Sequence, residues 1–311
     1  MIVRSLLCFA GFLVAYILFL PGLERTLMPR AAEYFDADQD YVQGNFVRGQ
    51  SLLYDDLTGH DVFLGSSLSH RVAIDILTPP SVKKEFIGGG PITGIKLVAA
   101  NKTTPRRVFI ECNYAIARAE DKNMLSNLLD PPMGALKRRF NFLRKLNRPS
   151  TLLLLSLYAP VTGHFVSTDK TEKRRLERLA EPIMPDDLQV DEKHRRETLH
   201  ALLPEFAGSV PGYAHWLAEL NQEVKTLEAR GVECCFYRMP FDPVVEQDPS
   251  YQKLIAMMQE CFPPSRYKWL LPDPDFHYKT TDGFHLTWKS GLAYTRHLLI
   301  AMDKAWPSAE R

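Results

Sequence analysis

Three short apolar runs, each closed by small or polar residues and followed by a helix-like stretch, constrain the fold of this chain most. Residues 61–64 (DVFL) run into Gly65-Ser66-Ser67, and residues 69–77 have helical texture. Residues 84–87 (KEFI) run into Gly88-Gly89-Gly90, and residues 92–100 (ITGIKLVAA) again read as a helix. Residues 107–110 (RVFI) run into Glu111-Cys112-Asn113. Strand, turn and helix in repetition predict βαβ units and a parallel sheet, hence an α/β fold. In such sheets ligands bind beyond the carboxyl ends of the strands. Ser66, Ser67, the glycines and Asn113 are therefore expected to gather on one rim.

The same texture returns near the end of the chain. Residues 213–230 carry apolar positions at helical spacing, with Gly231 as a fitting stop. Residues 232–237 (VECCFY) are the next strand, ending before Met239-Pro240. Residues 251–261 and 288–305 read as helices, with a loop over 273–281. Between them, residues 117–211 lose the pattern and read as a helical insertion. It holds a basic cluster of Lys137, Arg138, Arg139, Arg144, Lys145 and Arg148. The plainer reading of that cluster is a solvated helical face; the functional one is contact with anionic lipid or an acidic glycan.

Residues 5–23 (SLLCFAGFLVAYILFLPGL) contain no charge. At about 1.5 Å per residue such a helix nearly spans a ~30 Å hydrocarbon core. No small-x-small cleavage site is clear after it, so residues 1–27 are expected to be an uncleaved membrane anchor. Residues 28–311 would then form one domain on the periplasmic side of a single-pass protein. Residues 151–161 are apolar but short and broken by Pro160, which fits a buried element better than a second span.

Composition removes several classes of function. Lys+Arg is 38 and Asp+Glu is 37, a formal charge of +1, so no charge excess points to nucleic acid. The cysteines, Cys8, Cys112, Cys234, Cys235 and Cys261, match no zinc spacing and no small disulfide scaffold. The histidines show no HExxH-type spacing, and the triple glycine lacks the residues of a phosphate loop. No metal and no cofactor is expected. Trp216 and Trp288 lie in helical stretches and read as core rather than sugar platforms; Ser69 reads as a capping or surface group.

Four spots carry chemistry: Gly65-Ser66-Ser67, Gly88-Gly89-Gly90, Glu111-Cys112-Asn113, and Asp282-Gly283-Phe284-His285 within TTDGFHLTWKSG. A serine hydroxyl attacks only when a base takes its proton. His285 suits that base, with Asp282, three residues earlier, orienting the imidazole. In order and spacing the four spots resemble the SGNH (GDSL-type) hydrolase superfamily, over about 61–116 and from about 212 to the end. The resemblance implies a three-layer α/β/α sandwich around the parallel sheet and a catalytic set of Ser67, Asp282 and His285. It also implies an oxyanion hole from the Ser67 backbone N–H, one of Gly88, Gly89 and Gly90, and the Asn113 amide. Two departures stand out: Ser66 replaces the family's aspartate after the glycine, and the third block is ECN rather than Gly-x-Asn-Asp. Both resemble membrane-linked branches that handle alginate acetylation and D-alanyl transfer to teichoic acid.

The expected function is therefore serine-dependent O-acyl transfer, or ester hydrolysis, on a cell-surface polysaccharide, with acetyl as the expected acyl group. Its partners would be an acylated carbohydrate or other acyl donor, the membrane, and a membrane acyl-donor protein. The alternative is a non-catalytic relative that binds glycan or scaffolds a membrane assembly.

Overall fold

A computed structural model describes residues 8, 11, 14–15, 41–73, 82–86, 90–117, 122–140, 143–144 and 190–307. Helix α1 (Tyr41–Tyr54) leads into strand β1 (Asp61–Gly65) and a 3-10 turn (Ser67–Arg71). Then come β2 (Val82–Phe86), α2 (Pro91–Ala100), β3 (Arg107–Glu111) and a second 3-10 turn (Tyr114–Ala117). Helices α3 (Lys122–Leu129) and α4 (Pro131–Arg139) precede a long α5 (Glu192–Glu228). The chain closes with β4 (Glu233–Tyr237), α6 (Pro243–Glu246), α7 (Pro249–Cys261), β5 (Lys268–Leu270) and α8 (Trp288–Ala305).

The strands form one sheet in the order β2-β1-β3-β4-β5, and every neighbouring pair is parallel. The molecule is thus of the α/β class. β1 and β3 are buried along their whole length, which is why they read as unbroken apolar runs. Alternation sends their side chains to two faces. Phe63 stacks on Phe109 with ring centroids 4.3 Å apart, and Trp306, just after α8, meets Phe109 edge-on. Leu64 points the other way, where Gly94 lets α2 approach; a Cβ at Gly94 would lie 3.1 Å from Leu64.

At the amino ends of the strands, Asp61 is buried between two arginine forks. Its oxygens accept from Arg106 at 3.0 and 2.8 Å and from Arg107 at 2.9 and 2.5 Å. Helix α5 ends as expected at Gly231, whose φ is 80°. Val232 N–H bonds the Leu227 carbonyl and Gly231 N–H the Glu228 carbonyl, the two bonds of a Schellman motif.

Several boundaries differ from the sequence expectation. Where a helix was expected over 69–77, the short 3-10 turn stands, and residues 74–80 lie outside the described ones. α5 passes through position 211 without a break and carries Pro204 and Pro211 inside it. β5 had no sequence signal. Of the uncharged stretch 5–23 only residues 8, 11, 14 and 15 are described, and no helix among the described residues is long and apolar enough to cross a membrane.

The chain divides into two compact units, Met1–Gln50 with Asn127–Leu179, and Ser51–Ser126 with Ala180–Arg311. Within the first, Lys137 is buried rather than solvated; its ammonium donates to the Asn127 carbonyl at 3.1 Å and lies 5.9 Å from the Phe46 ring centroid. Lys145 and Arg148 lie outside the described residues. The second unit contains the whole sheet.

Candidate functional site

Strand order reverses between β1 and β3, so their carboxyl ends diverge into the crevice where α/β sheets bind ligands. The turn after β1 is built by Gly65. A Cβ there would lie 2.6 Å from the Tyr237 hydroxyl and 2.7 Å from Ser69 Oγ, so only glycine fits without displacing them. Ser66 caps the turn: its Oγ accepts from Leu68 N–H at 3.2 Å, and its carbonyl accepts from Ser69 N–H at 3.2 Å. Ser66 is fully buried, whereas Ser67, the first residue of the turn, is partly exposed. Ser69 is buried rather than a surface group, with its hydroxyl 2.9 Å from that of Tyr237.

β3 ends on Glu111, a carboxylate with no exposure to solvent. One of its oxygens accepts from Ser66 N–H at 2.5 Å and the other from Asn113 Nδ2 at 2.7 Å. Asn113 Oδ1 in turn accepts from Ala115 N–H at 2.6 Å, which fixes the amide's orientation. Burial pushes the Glu111 carboxyl above its ordinary pKa, and the Ser66, Ser69 and Asn113 donors act against that shift. Asn113 is fully buried and commits part of its amide to Glu111, so the residue expected to face a substrate also anchors the strand end.

The fourth block forms a closed loop. Thr281 N–H bonds the His285 carbonyl at 2.7 Å, and Thr280 bridges Leu286. Asp282 Oδ1 accepts from the N–H groups of Phe284 and His285 at 3.0 and 2.8 Å, and Oδ2 lies 2.7 Å from His285 Nδ1. Burial would raise the Asp282 pKa, but hydrogen bonds from the His285 ring and the two backbone amides bring it down to about 2. An ionised Asp282 holds the proton on Nδ1 and leaves Nε2 as the basic nitrogen. Gly283 permits the turn with φ 97°.

α5 and the neighbouring loop clamp this segment. Leu199 lies where a Gly283 Cβ would be, Asp242 N–H bonds the Gly283 carbonyl at 3.0 Å, and Arg195 pairs with Asp242 at 2.7 Å. Phe284 is buried against Tyr114, Phe206 and Phe241, with ring centroids 5.6 to 5.7 Å away. Arg195, Leu199 and Phe206 come from the 117–211 stretch expected to be an insertion, and they wall the site loop.

The serine turn also touches α8, which begins just after His285. The Arg71 guanidinium lies 4.5 Å from the Trp288 ring centroid, Ala73 N–H bonds Thr295 Oγ1 at 2.9 Å, and a Cβ at Gly291 would meet the Arg71 carbonyl at 2.5 Å. Ser67 and His285 are thus carried by directly packed elements. No hydrogen bond joins their side chains among the described residues. Of the three glycines, Gly90 is described: it caps α2 with φ 108°, a conformation that favours glycine, ahead of Pro91. Gly88 and Gly89 lie outside the described residues.

Among the described residues no cluster of His, Cys, Asp or Glu could hold a metal ion. Sequence reasoning named the ECN block but gave Glu111 no role. The available signal was a carboxylate closing the apolar run Val108-Phe109-Ile110. Comparison with protein-family models, curated proteins and solved structures found no match.

Proposed function

We propose that this chain is a serine-dependent esterase or O-acyltransferase with Ser67 as nucleophile, His285 as general base and Asp282 as the group orienting it. The observation that carries the reading is the Asp282–His285 pair, with Nδ1 committed at 2.7 Å to the carboxylate. Support also comes from the partly exposed Ser67 at the switch point of the sheet. In this reading the second unit is a three-layer SGNH-like sandwich, residues 1–27 anchor it to the membrane, and the catalytic domain lies outside the cytoplasm.

His285 Nε2 takes the Ser67 hydroxyl proton as Oγ attacks the acyl carbonyl. The tetrahedral oxyanion is held by the Ser67 backbone N–H, one of Gly88, Gly89 and Gly90, and the Asn113 amide. Collapse breaks the ester bond, and the departing alcohol takes the proton from Nε2. The acyl-enzyme then passes its acyl group to water or to a sugar hydroxyl by the same steps. The substrate class is an acyl ester, acetyl foremost, on or bound for a cell-surface polysaccharide, with a membrane acyl-donor protein as source in the transferase case.

The test is release from p-nitrophenyl acetate by the full-length chain, with intact mass spectrometry for an acetyl adduct. Wild type is expected to turn over and to carry the adduct; Ser67→Ala is expected to do neither. Activity that survives Ser67→Ala overturns the reading. A second reading, a non-catalytic glycan-binding or scaffold protein, is favoured by the missing Ser67–His285 hydrogen bond. Catalytic hydrogen bonds often close only once substrate is bound, so this weighs less.

A further inference from the structure

We propose that Glu111 is the positioning residue of this site: its carboxylate, supplied by β3, holds the Ser66–Ser67 turn of β1 and the Asn113 amide in one fixed arrangement. The proposal rests on the catalytic reading of Ser67 given above. Its two oxygens reach both halves of the site at once, Ser66 N–H at 2.5 Å and Asn113 Nδ2 at 2.7 Å. Ser66 N–H belongs to the Gly65–Ser66 peptide unit, one unit before the one that carries the Ser67 N–H. Ser66 is held from the other side as well, its Oγ accepting from Leu68 N–H and its carbonyl from Ser69 N–H at 3.2 Å each, so the bond from Glu111 and these two together set the direction of the Ser67 backbone, including the N–H that would meet the oxyanion. Asn113 is the other expected donor, and Glu111 sets its rotamer together with Ala115 N–H at 2.6 Å. The Ser66 and Asn113 donors, with the Ser69 hydroxyl nearby, favour the charged carboxylate against its burial. A buried acceptor surrounded by donors is costly to replace, because each donor is then left unpaired.

This carboxylate joins the two positions at which the sequence departs from the resembled pattern. The resembled family carries an aspartate after the glycine of β1, where this chain has Ser66, and a glycine at the third block, where this chain has Glu111. Leu64 pairs with Ile110 in the β1–β3 register, so the two positions are neighbours at adjacent strand ends. In this chain Glu111 places a buried carboxylate beside Ser66.

The test is a double-mutant cycle on the full-length chain, read as acylation kinetics with p-nitrophenyl acetate. Glu111→Gln puts amide hydrogens among donors and is expected to lower kcat about 10²-fold, the scale of losing an oxyanion donor, with KM changed less than about threefold. Ser66→Asp with Glu111 in place sets two buried carboxylates side by side and is expected to impair the protein as well. The double variant Ser66→Asp/Glu111→Gln restores one carboxylate to the site and is expected to recover kcat to within about tenfold of wild type. A folded Glu111→Gln with wild-type kcat overturns the proposal, as does a double variant no better than its worse parent. If Glu111→Gln does not fold, the double variant decides: folded and acylated upholds the proposal, anything else overturns it. Should wild type itself form no adduct, the catalytic reading fails first. Hydrogen exchange over residues 65–71 then judges Glu111 alone: faster exchange in Glu111→Gln, reversed in the double variant, upholds its hold on the turn, and unchanged exchange overturns it.

Discussion

Asp282 accepts from two backbone amides and the ring of His285, and those bonds outweigh the burial that would otherwise raise its pKa. With its carboxyl lowered from 3.8 to about 2, its stabilising contribution is complete above pH 3.8 and lost as pH falls through about 2. The amount is on the order of 2 kcal/mol. Urea denaturation across that range should therefore show wild type losing its advantage over Asp282→Asn as the solution is acidified. A pH-independent difference would mean the hydrogen bonds to the carboxylate do not carry it. At neutral pH the same variant should lose on the order of 10³-fold or more in kcat, because the imidazole is no longer held in its working tautomer. At this scale the sequence was informative where chemistry is local: Asp282 and His285 lie three residues apart and show their relation directly. Glu111 was opaque because its partner Ser66 is 45 positions away and meets it only once β1 and β3 pair.

The elements are packed so that one contact sets the geometry of the site and another sets stability alone. Gly291 of α8 lies against the Arg71 carbonyl, and a Cβ there at 2.5 Å would push the helix off the serine turn. Gly291→Ala is expected to cost about 1–3 kcal/mol as an overpacked contact and to lower kcat at least tenfold, since His285 moves relative to Ser67. Asp61 lies at the opposite ends of the strands. Asp61→Ala strips the buried Arg107 of its carboxylate and should cost about 3–5 kcal/mol while the folded fraction turns over as wild type does. Thermal melts and kcat measured on the same samples separate the two; a Gly291→Ala protein with wild-type kcat would break the link between α8 and the serine turn. The strands β1 and β3 were legible because total burial writes an unbroken apolar run. The amino-terminal half of α5 was not: it reads as part of the insertion over 117–211, not joined to the helix read over 213–230, although one helix carries Pro204 and Pro211 across that boundary. β5 spans only Lys268–Leu270, too short to leave any pattern.

For the whole molecule, the order β2-β1-β3-β4-β5 brings residues from four separate stretches of chain to one end of a parallel sheet. The βαβ rhythm of the sequence implied the parallel sheet, but the order of strands depends on which edges meet and leaves no local trace. The proposed anchor rests on the uncharged residues 5–23. The full-length protein should stay with membranes through a carbonate wash, and release into the supernatant would contradict the anchor. The central claim is that Ser67 becomes acylated. Intact mass spectrometry of the full-length chain after exposure to p-nitrophenyl acetate tests it most directly. The account predicts one acetyl group on wild type, mapped to Ser67 and missing from folded Ser67→Ala. An adduct that persists in Ser67→Ala, or a folded wild type that never acquires one, would contradict it.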